Sequence, residues 1–325
     1  MSLDNLFFDW MEFLQIQKGH RPRGVLQYER VIRSFFRWLE RQGKEINPGR
    51  VTREVIGEWL RDLFYEQGNI SNRSRASKLS ALRSFFGYLK YAGLIAADPT
   101  KGIPSPKIQP SLPQKFSTEE LRMLFSAPAR DTTQGLRDLA ILKTLYASGL
   151  RVGELVSLDC AHLVDTGGYI RLQVMDGNAK GGKGRTLTLR TNPSKTLREW
   201  LLLRREMPSP DDALFVALRA GRGRRLSERS ILNVLKKYAA TVGIESADAF
   251  CHKLRSTFAT DLYDSGHDKC IRCSHPVQYV GLIELAVLMG HEDVKTTMGY
   301  VAISERTLRR TAIPDKRFNE IEQED

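Results

Sequence analysis

The sequence predicts a mainly α-helical chain with one small antiparallel β-sheet, divided into two domains. Three observations lead there. Apolar residues recur at three- and four-residue spacing from the start of the chain to about residue 95. A stretch from Asp98 to Gln114 then carries Pro99, Pro104, Pro106, Pro110 and Pro113, which no regular helix tolerates. Beyond it helical periodicity returns, broken once by two short alternating segments on either side of Asp176 to Arg185.

Each element follows from its residues. Leu6, Phe7, Trp10, Phe13 and Leu14 mark a first helix, and Tyr28, Val31, Ile32, Phe35 and Leu39 a second. Thr52 is placed to cap a third, built on Val55, Ile56, Trp59, Leu60 and Leu63. Leu79, Leu82, Phe86 and Leu89 form the apolar stripe of a fourth, which opens with Asn72, Arg73, Ser74, Arg75, Ser77 and Lys78. Arg73, Arg75 and Lys78 are phosphate-contact types at a helix start, where backbone N–H groups also favour anions. The proline stretch reads as an extended linker, long enough for two domains to lie on opposite sides of a rod-like ligand. The second domain opens with a capping box, Ser117-Thr118-Glu119-Glu120, with Phe116 and Leu121 as its hydrophobic staple. A helix from Leu136 to Tyr146 stops at Gly149, and Arg151 and Glu154 share a face if the next segment is helical. Ile170, Leu172 and Val174 alternate with polar residues, as do Leu187 and Leu189, giving a hairpin with a glycine-rich tip bearing Lys180 and Lys183. Asn192-Pro193 starts a further helix, Arg219 to Arg225 is a basic loop, and Ile231, Val234, Leu235 and Tyr238 mark another helix.

Composition narrows the class. A hydrophobic content of 41% is ordinary for a folded globular protein and excludes general disorder. No apolar run reaches the length of a membrane span, and the acidic, mixed N-terminus is unlike a signal peptide. Four cysteines, Cys160, Cys251, Cys270 and Cys273, are too few for a disulfide scaffold and fit a reducing cytoplasm. The formal net charge of +12 points to a polyanionic partner, most simply nucleic acid. Residues 1–112 hold 18 Lys+Arg against 11 Asp+Glu and the remainder 32 against 27, so the smaller domain is the more basic per residue.

The chemistry gathers near the C-terminal side. His252 and Arg255 are three residues apart in Cys251-His252-Lys253-Leu254-Arg255, so they project from one helix face. Leu288-Met289-Gly290-His291 reads as a helix end followed by a histidine, and Glu292 to Tyr300 as a short helix with the tyrosine near its end. Arginine grips two phosphate oxygens at once, histidine exchanges protons near neutrality, and tyrosine can be a covalent nucleophile. Together these types suit attack on a phosphodiester.

Joined in order, Arg151, Glu154, Lys180, His252, Arg255, His291 and Tyr300 resemble the tyrosine recombinase (phage-type integrase) family, nearest to its Xer-like members. The resemblance rests on Ser148-Gly149-Leu150-Arg151-Val152-Gly153-Glu154-Leu155, the Lys180 hairpin, His252-Lys253-Leu254-Arg255, and Leu288-Met289-Gly290-His291 with Tyr300 nine residues on. It spans both domains. It implies a helical, SAM-like core-binding domain over residues 1–105, a linker over 106–115 and an α+β catalytic domain over 116–325. It implies a site-specific recombinase that cuts and rejoins double-stranded DNA through a 3′-phosphotyrosyl ester, passing through a Holliday junction in a homo-tetramer, with no metal, ATP or other cofactor and no membrane. The setting implied is the cytoplasm at the nucleoid, with a chromosome or a mobile genetic element as target. Arg151 and Arg255 would grip the scissile phosphate, Tyr300 attack it, and Lys180 protonate the leaving 5′-oxygen. His252 would assist proton transfer, His291 bind a phosphate oxygen, and Glu154 orient its neighbours. Lys183 lies on the same hairpin and is the alternative acid, or a DNA contact; the family's spacing favours Lys180.

Two departures from the family pattern stand out. Ala302 occupies a position where the family often has a histidine. The interval from His252 to His291 is also longer than usual, with the excess at His267 to Pro276. There Cys270 and Cys273 have metal-knuckle spacing flanked by His267 and His275; a surface loop with reduced thiols is the reading adopted, a structural zinc its alternative. After Tyr300, Arg306, Arg309 and Arg310 precede Ile313-Pro314 and Phe318 to Ile321, a tail of the kind that docks on a neighbouring protomer in the family, or a frayed terminus. Two other functions compete: a type IB topoisomerase, which would relax supercoils without a specific site, and a catalytically idle DNA-binding accessory protein, in which Tyr300→Phe would change nothing.

Overall fold

The structure, a computed structural model, describes residues 3–20, 22–65, 70–108, 114–175, 184–210, 212–219, 223–265 and 282–290. The chain divides into two compact units, Met1–Pro110 and Ser111–Asp325.

The first unit is helical. Helices α1 (Leu3–Ile16), α2 (Pro22–Arg41), α3 (Arg53–Tyr65) and α4 (Asn72–Tyr91) enclose an aromatic-rich core. Trp10, Phe35, Trp59, Phe85 and Phe86 are all but sealed from solvent. Phe35 lies edge-on to Trp59 at 5.2 Å and Trp10 edge-on to Phe85 at 5.2 Å, an arrangement that adds about 1 kcal/mol per pair to area burial. Among its indole N–H groups, that of Trp10 donates to Ser84 and that of Trp38 to Asp62. Ser71 caps α4 by accepting from the Ser74 N–H.

The start of the proline stretch is less extended than its composition predicts. Asp98 accepts from the Thr100 N–H and hydroxyl in a turn, Arg83 donates to the Ile103 carbonyl and Ser105 hydroxyl, and Asn72 donates to the Lys107 carbonyl. Prolines remove N–H donors from the stretch, and α4 supplies the donors that the Ile103 and Lys107 carbonyls take.

The second unit begins with α5 (Thr118–Ser126), whose Ser117–Glu120 capping box is formed in both directions. Its centre is α6 (Thr133–Ser148), buried nearly all round because α5, α8, α9, α10 and β3 pack against it. The short α7 (Val152–Val156) follows, then strands β1 (Leu163–Asp165), β2 (Ile170–Val174) and β3 (Arg185–Leu189). They form an antiparallel sheet in the order β1-β2-β3, with Leu172 opposite Leu187 and Ile170 opposite Leu189. The inward residues are those that the alternation marks. Helices α8 (Thr191–Arg205), α9 (Glu228–Thr241), α10 (Cys251–Ser265) and α11 (Leu282–Met289) complete the unit. Trp200, Leu197, Leu214, Leu235 and Leu254 join the sheet's inner face in one core. Among the described residues no helix is long and apolar enough to cross a membrane.

Gly149 decides where α6 ends. Its φ of +61° is left-handed, and a Cβ there would sit 2.2 Å from Phe258 Cδ1. Only glycine meets both conditions, so the chain turns at this point and delivers Arg151 to the start of α7.

Candidate active site

Arg151 is the N-cap of α7 and Glu154 its third residue. The Glu154 carboxylate accepts from the Arg151 backbone N–H at 2.7 Å and from Arg151 Nη1 at 3.1 Å. A carboxylate at a helix N-terminus also meets the positive end of the peptide dipoles. The expected sharing of one face by these two residues thus takes the form of a cap.

His252 and Arg255 stand on the first turn of α10. Arg255 is 1% exposed, and its guanidinium donates to the Gly149 carbonyl at the end of α6 and, at 2.6 Å, to the Met289 carbonyl at the end of α11. Arg151 donates to the next carbonyl, that of Gly290, at 3.1 Å. Two guanidiniums from different elements are therefore drawn to adjacent carbonyls immediately before His291 in the chain. The pull has a physical cause: the last carbonyls of a helix have no intrahelical donor and carry the negative end of its dipole. Arg151 leaves 44% of its side chain in solvent, so the pair joins a buried cation to an accessible one.

Charge sets the state of the neighbours. Burial lifts the Glu154 carboxyl, but hydrogen bonds from Arg185 and the Arg151 backbone, with both guanidinium charges, hold it net below the usual carboxylate range. Burial first, then the charges of Arg255 and Arg151, holds the His252 imidazole below its ordinary value of 6.5. It is therefore neutral at pH 7 and able to accept a proton. The His252 ring protons, followed by NMR, are expected to titrate with a midpoint below 6.5, and Arg151→Ala should raise that midpoint by removing a cation. A midpoint above 6.5 would contradict this electrostatic account. Cys251, beside it, is pushed by burial up to about 11 and is no nucleophile near neutrality.

Lys180, Lys183, His291 and Tyr300 lie outside the described residues, as do His267, Cys270, Cys273, His275 and the basic tail. Among the described residues no group of three His, Cys, Asp or Glu side chains could hold a metal ion. Arg73, Arg75 and Lys78 lie on the first two turns of α4 in the first unit: Arg73 is exposed, Arg75 stacks on Phe64 at 4.6 Å, and Lys78 lies 5.9 Å from the Trp59 ring. The aromatic rings hold two of these three side chains at the helix start.

One residue of the site escaped the sequence reading. Arg185, the first residue of β3, donates through Nη1 and Nη2 to Glu154 at 3.1 and 2.9 Å and through Nε to the Leu288 carbonyl at 2.9 Å. A signal was present: Arg185 shares strand parity with Leu187 and Leu189, whose side chains are buried.

Comparison with known proteins shows the family and the fold. Residues 114–306 match the phage integrase family and residues 8–93 the N-terminal SAM-like domain of phage integrases. Tyrosine recombinase XerD of Listeria innocua is 30% identical over 312 residues, covering 94% of this chain and 97% of the relative. Tyrosine recombinase XerC of Actinobacillus pleuropneumoniae is 29% identical over 305 residues, covering 93% and 90%. In fold, the chain is similar to the XerH site-specific recombinase bound to its difH substrate, with a TM-score of 0.67 at 19% identity over 96% of this chain and 84% of that one. A lambda integrase tetramer bound to a Holliday junction gives a TM-score of 0.66 at 15% identity, over 94% and 78%. The chain belongs to the phage integrase family and is a Xer-like tyrosine recombinase.

Proposed function

We propose that this enzyme exchanges strands between specific double-stranded DNA sites through a covalent 3′-phosphotyrosyl intermediate. The observation that carries the proposal is the convergence of Arg151 and Arg255 on the Met289 and Gly290 carbonyls, beside a neutral-leaning His252. In this reading the two arginines grip the non-bridging oxygens of the scissile phosphate and stabilise the charge of the pentavalent transition state. Tyr300 Oη attacks phosphorus, and the P–O5′ bond breaks. The tyrosine proton passes towards His252, and Lys180 gives a proton to the departing 5′-oxygen. His291 donates to a phosphate oxygen, and Glu154 orients Arg151. The ester conserves the energy of the phosphodiester, so attack by the 5′-hydroxyl of another strand reverses the step without a metal or ATP.

Residues 1–105 act as the core-binding domain, 106–115 as the linker and 116–325 as the catalytic domain. Arg73, Arg75 and Lys78 supply phosphate contacts at the start of α4, and Lys183 supplies a further one from the hairpin; such contacts fix register without reading sequence. The XerH complex with difH and the lambda integrase tetramer on a Holliday junction support the same course here, with four copies exchanging strands through a junction in the cytoplasm at the nucleoid.

The test is covalent trapping. DNA held on the protein after denaturation is sequenced to find the site, and a nicked suicide substrate bearing that site is then used. Relaxation of supercoils at no preferred sequence would point to a topoisomerase instead. The acid is checked on the same substrate: Lys180→Ala is expected to cleave poorly, and a 5′-bridging sulfur at the scissile phosphate should restore its rate, because a thiolate leaves without a proton. Lys183→Ala should show no such selective rescue. The reverse pattern would move the acid to Lys183.

A further inference from the structure

Three arginines, not two, converge on the C-terminal end of α11. Arg185 takes the Leu288 carbonyl at 2.9 Å, Arg255 that of Met289 at 2.6 Å and Arg151 that of Gly290 at 3.1 Å. Gly290 has a φ of +64°, and a Cβ there would lie 2.8 Å from Arg185 Nη1 and 3.6 Å from Arg151 Nη1. The missing side chain leaves room for both guanidiniums at the helix end.

Arg185 differs from the other two in what it does with its remaining donors. Its two Nη groups form a fork on the Glu154 carboxylate, whose side chain, like that of Arg185, is 13% exposed. The same carboxylate also holds Arg151 by its backbone N–H and by Nη1. Left with Arg151 alone, Glu154 would neutralise the accessible cation of the site. A second guanidinium on the same carboxylate leaves the trio with one net positive charge. Arg185 also opens β3, directly after the stretch that holds Lys180 and Lys183. One side chain thus joins the returning hairpin strand, the Arg151 cap and the helix end that leads to His291.

We infer that Arg185 is a positioning residue for strand cleavage. It offsets the charge of Glu154, so that Arg151 remains an effective phosphate ligand, and it fixes the end of α11 against β3. The inference rests on the assignment of Arg151 to the scissile phosphate, which Arg151→Ala tests separately.

The experiment compares Arg185→Met, Arg185→Lys, Glu154→Gln and the Arg185→Met/Glu154→Gln double variant, each as the full chain. Single-turnover adduct formation is read on the suicide substrate and affinity by titration of the uncleaved site. Arg185→Met is expected to slow cleavage about 100-fold, the scale of a small misplacement of a catalytic group, while affinity moves by less than about 3-fold. Arg185→Lys keeps the charge but not the fork and should recover part of the rate. The double variant should cleave faster than Arg185→Met, because removing the carboxylate's charge restores the cation at Arg151. A purely structural role predicts the opposite order, since the double variant loses more contacts. Cleavage by Arg185→Met within about 3-fold of wild type, equal losses of affinity and rate, or a double variant no faster than the single one would each overturn the inference. If Arg185→Met does not fold, Arg185→Lys carries the test: affinity and rate lost in equal proportion by that variant overturn it. Wild-type cleavage by Arg151→Ala would instead remove the phosphate assignment beneath it.

Discussion

Tyr300→Phe is expected to bind its DNA site with near wild-type affinity and to form no covalent adduct. The substitution removes one oxygen and leaves the ring, so packing changes little. Affinity in such proteins comes from many phosphate contacts and the counterions they release, none of which depends on this hydroxyl. In the proposed mechanism the chemistry depends on it entirely, because Tyr300 Oη is the group assigned to attack phosphorus. Tyrosine's ordinary pKa is about 10, so the hydroxyl must lose its proton during attack; a neutral His252 fits that need. Since only the neutral imidazole accepts a proton, wild-type cleavage should stay level through neutrality and fall as the pH drops through the depressed His252 pKa. A suicide substrate run on a denaturing gel reads the first result, and an adduct at wild-type level in Tyr300→Phe would end the assignment.

Much of the fold was legible in the sequence because its apolar stripes are periodic and its stops are chemical. Leu79, Leu82, Phe86 and Leu89 are all fully buried along α4, and Gly149 and Gly290 both end helices with positive φ. The full breadth of the first core was harder to read. Phe36, Trp38 and Phe85 are buried as well, since helices that pack on several neighbours bury more than one stripe. The proline stretch misled in a simple way: its composition forbids a helix but does not report that Arg83 and Asn72 bind its carbonyls. Such partners are 20 and 35 residues away in the chain. In the candidate site, residue type and spacing together with the family resemblance picked out Arg151, Glu154, His252 and Arg255. What they could not supply was convergence. That the carbonyls of Leu288, Met289 and Gly290 gather three guanidiniums is a tertiary fact, and Arg185 became visible as part of the site only through it.

Arg255 should show the second large effect, and it requires two variants. In Arg255→Ala the Gly149 and Met289 carbonyls lose their donor, and a 1% exposed side chain is replaced by a void. Stability is expected to fall by about 3 kcal/mol, combining two orphaned acceptors with a cavity. Cleavage would vanish with it, but a damaged fold could explain that loss. Arg255→Lys separates the two. Lysine keeps a cation at the negative ends of α6 and α11, so most of the stability should remain. It lacks the planar fork and cannot donate to both carbonyls and a phosphate oxygen with one fixed geometry. Arg255→Lys is therefore expected to unfold near the wild-type urea midpoint, to bind DNA, and to form adduct roughly 100- to 1,000-fold more slowly. That loss corresponds to about 3–4 kcal/mol of transition-state stabilisation. Urea unfolding, site titration and single-turnover cleavage on the same three proteins decide the matter. If Arg255→Lys cleaves within a few-fold of wild type, the guanidinium is a buried strut between two helix ends, and the grip on the phosphate must come from elsewhere.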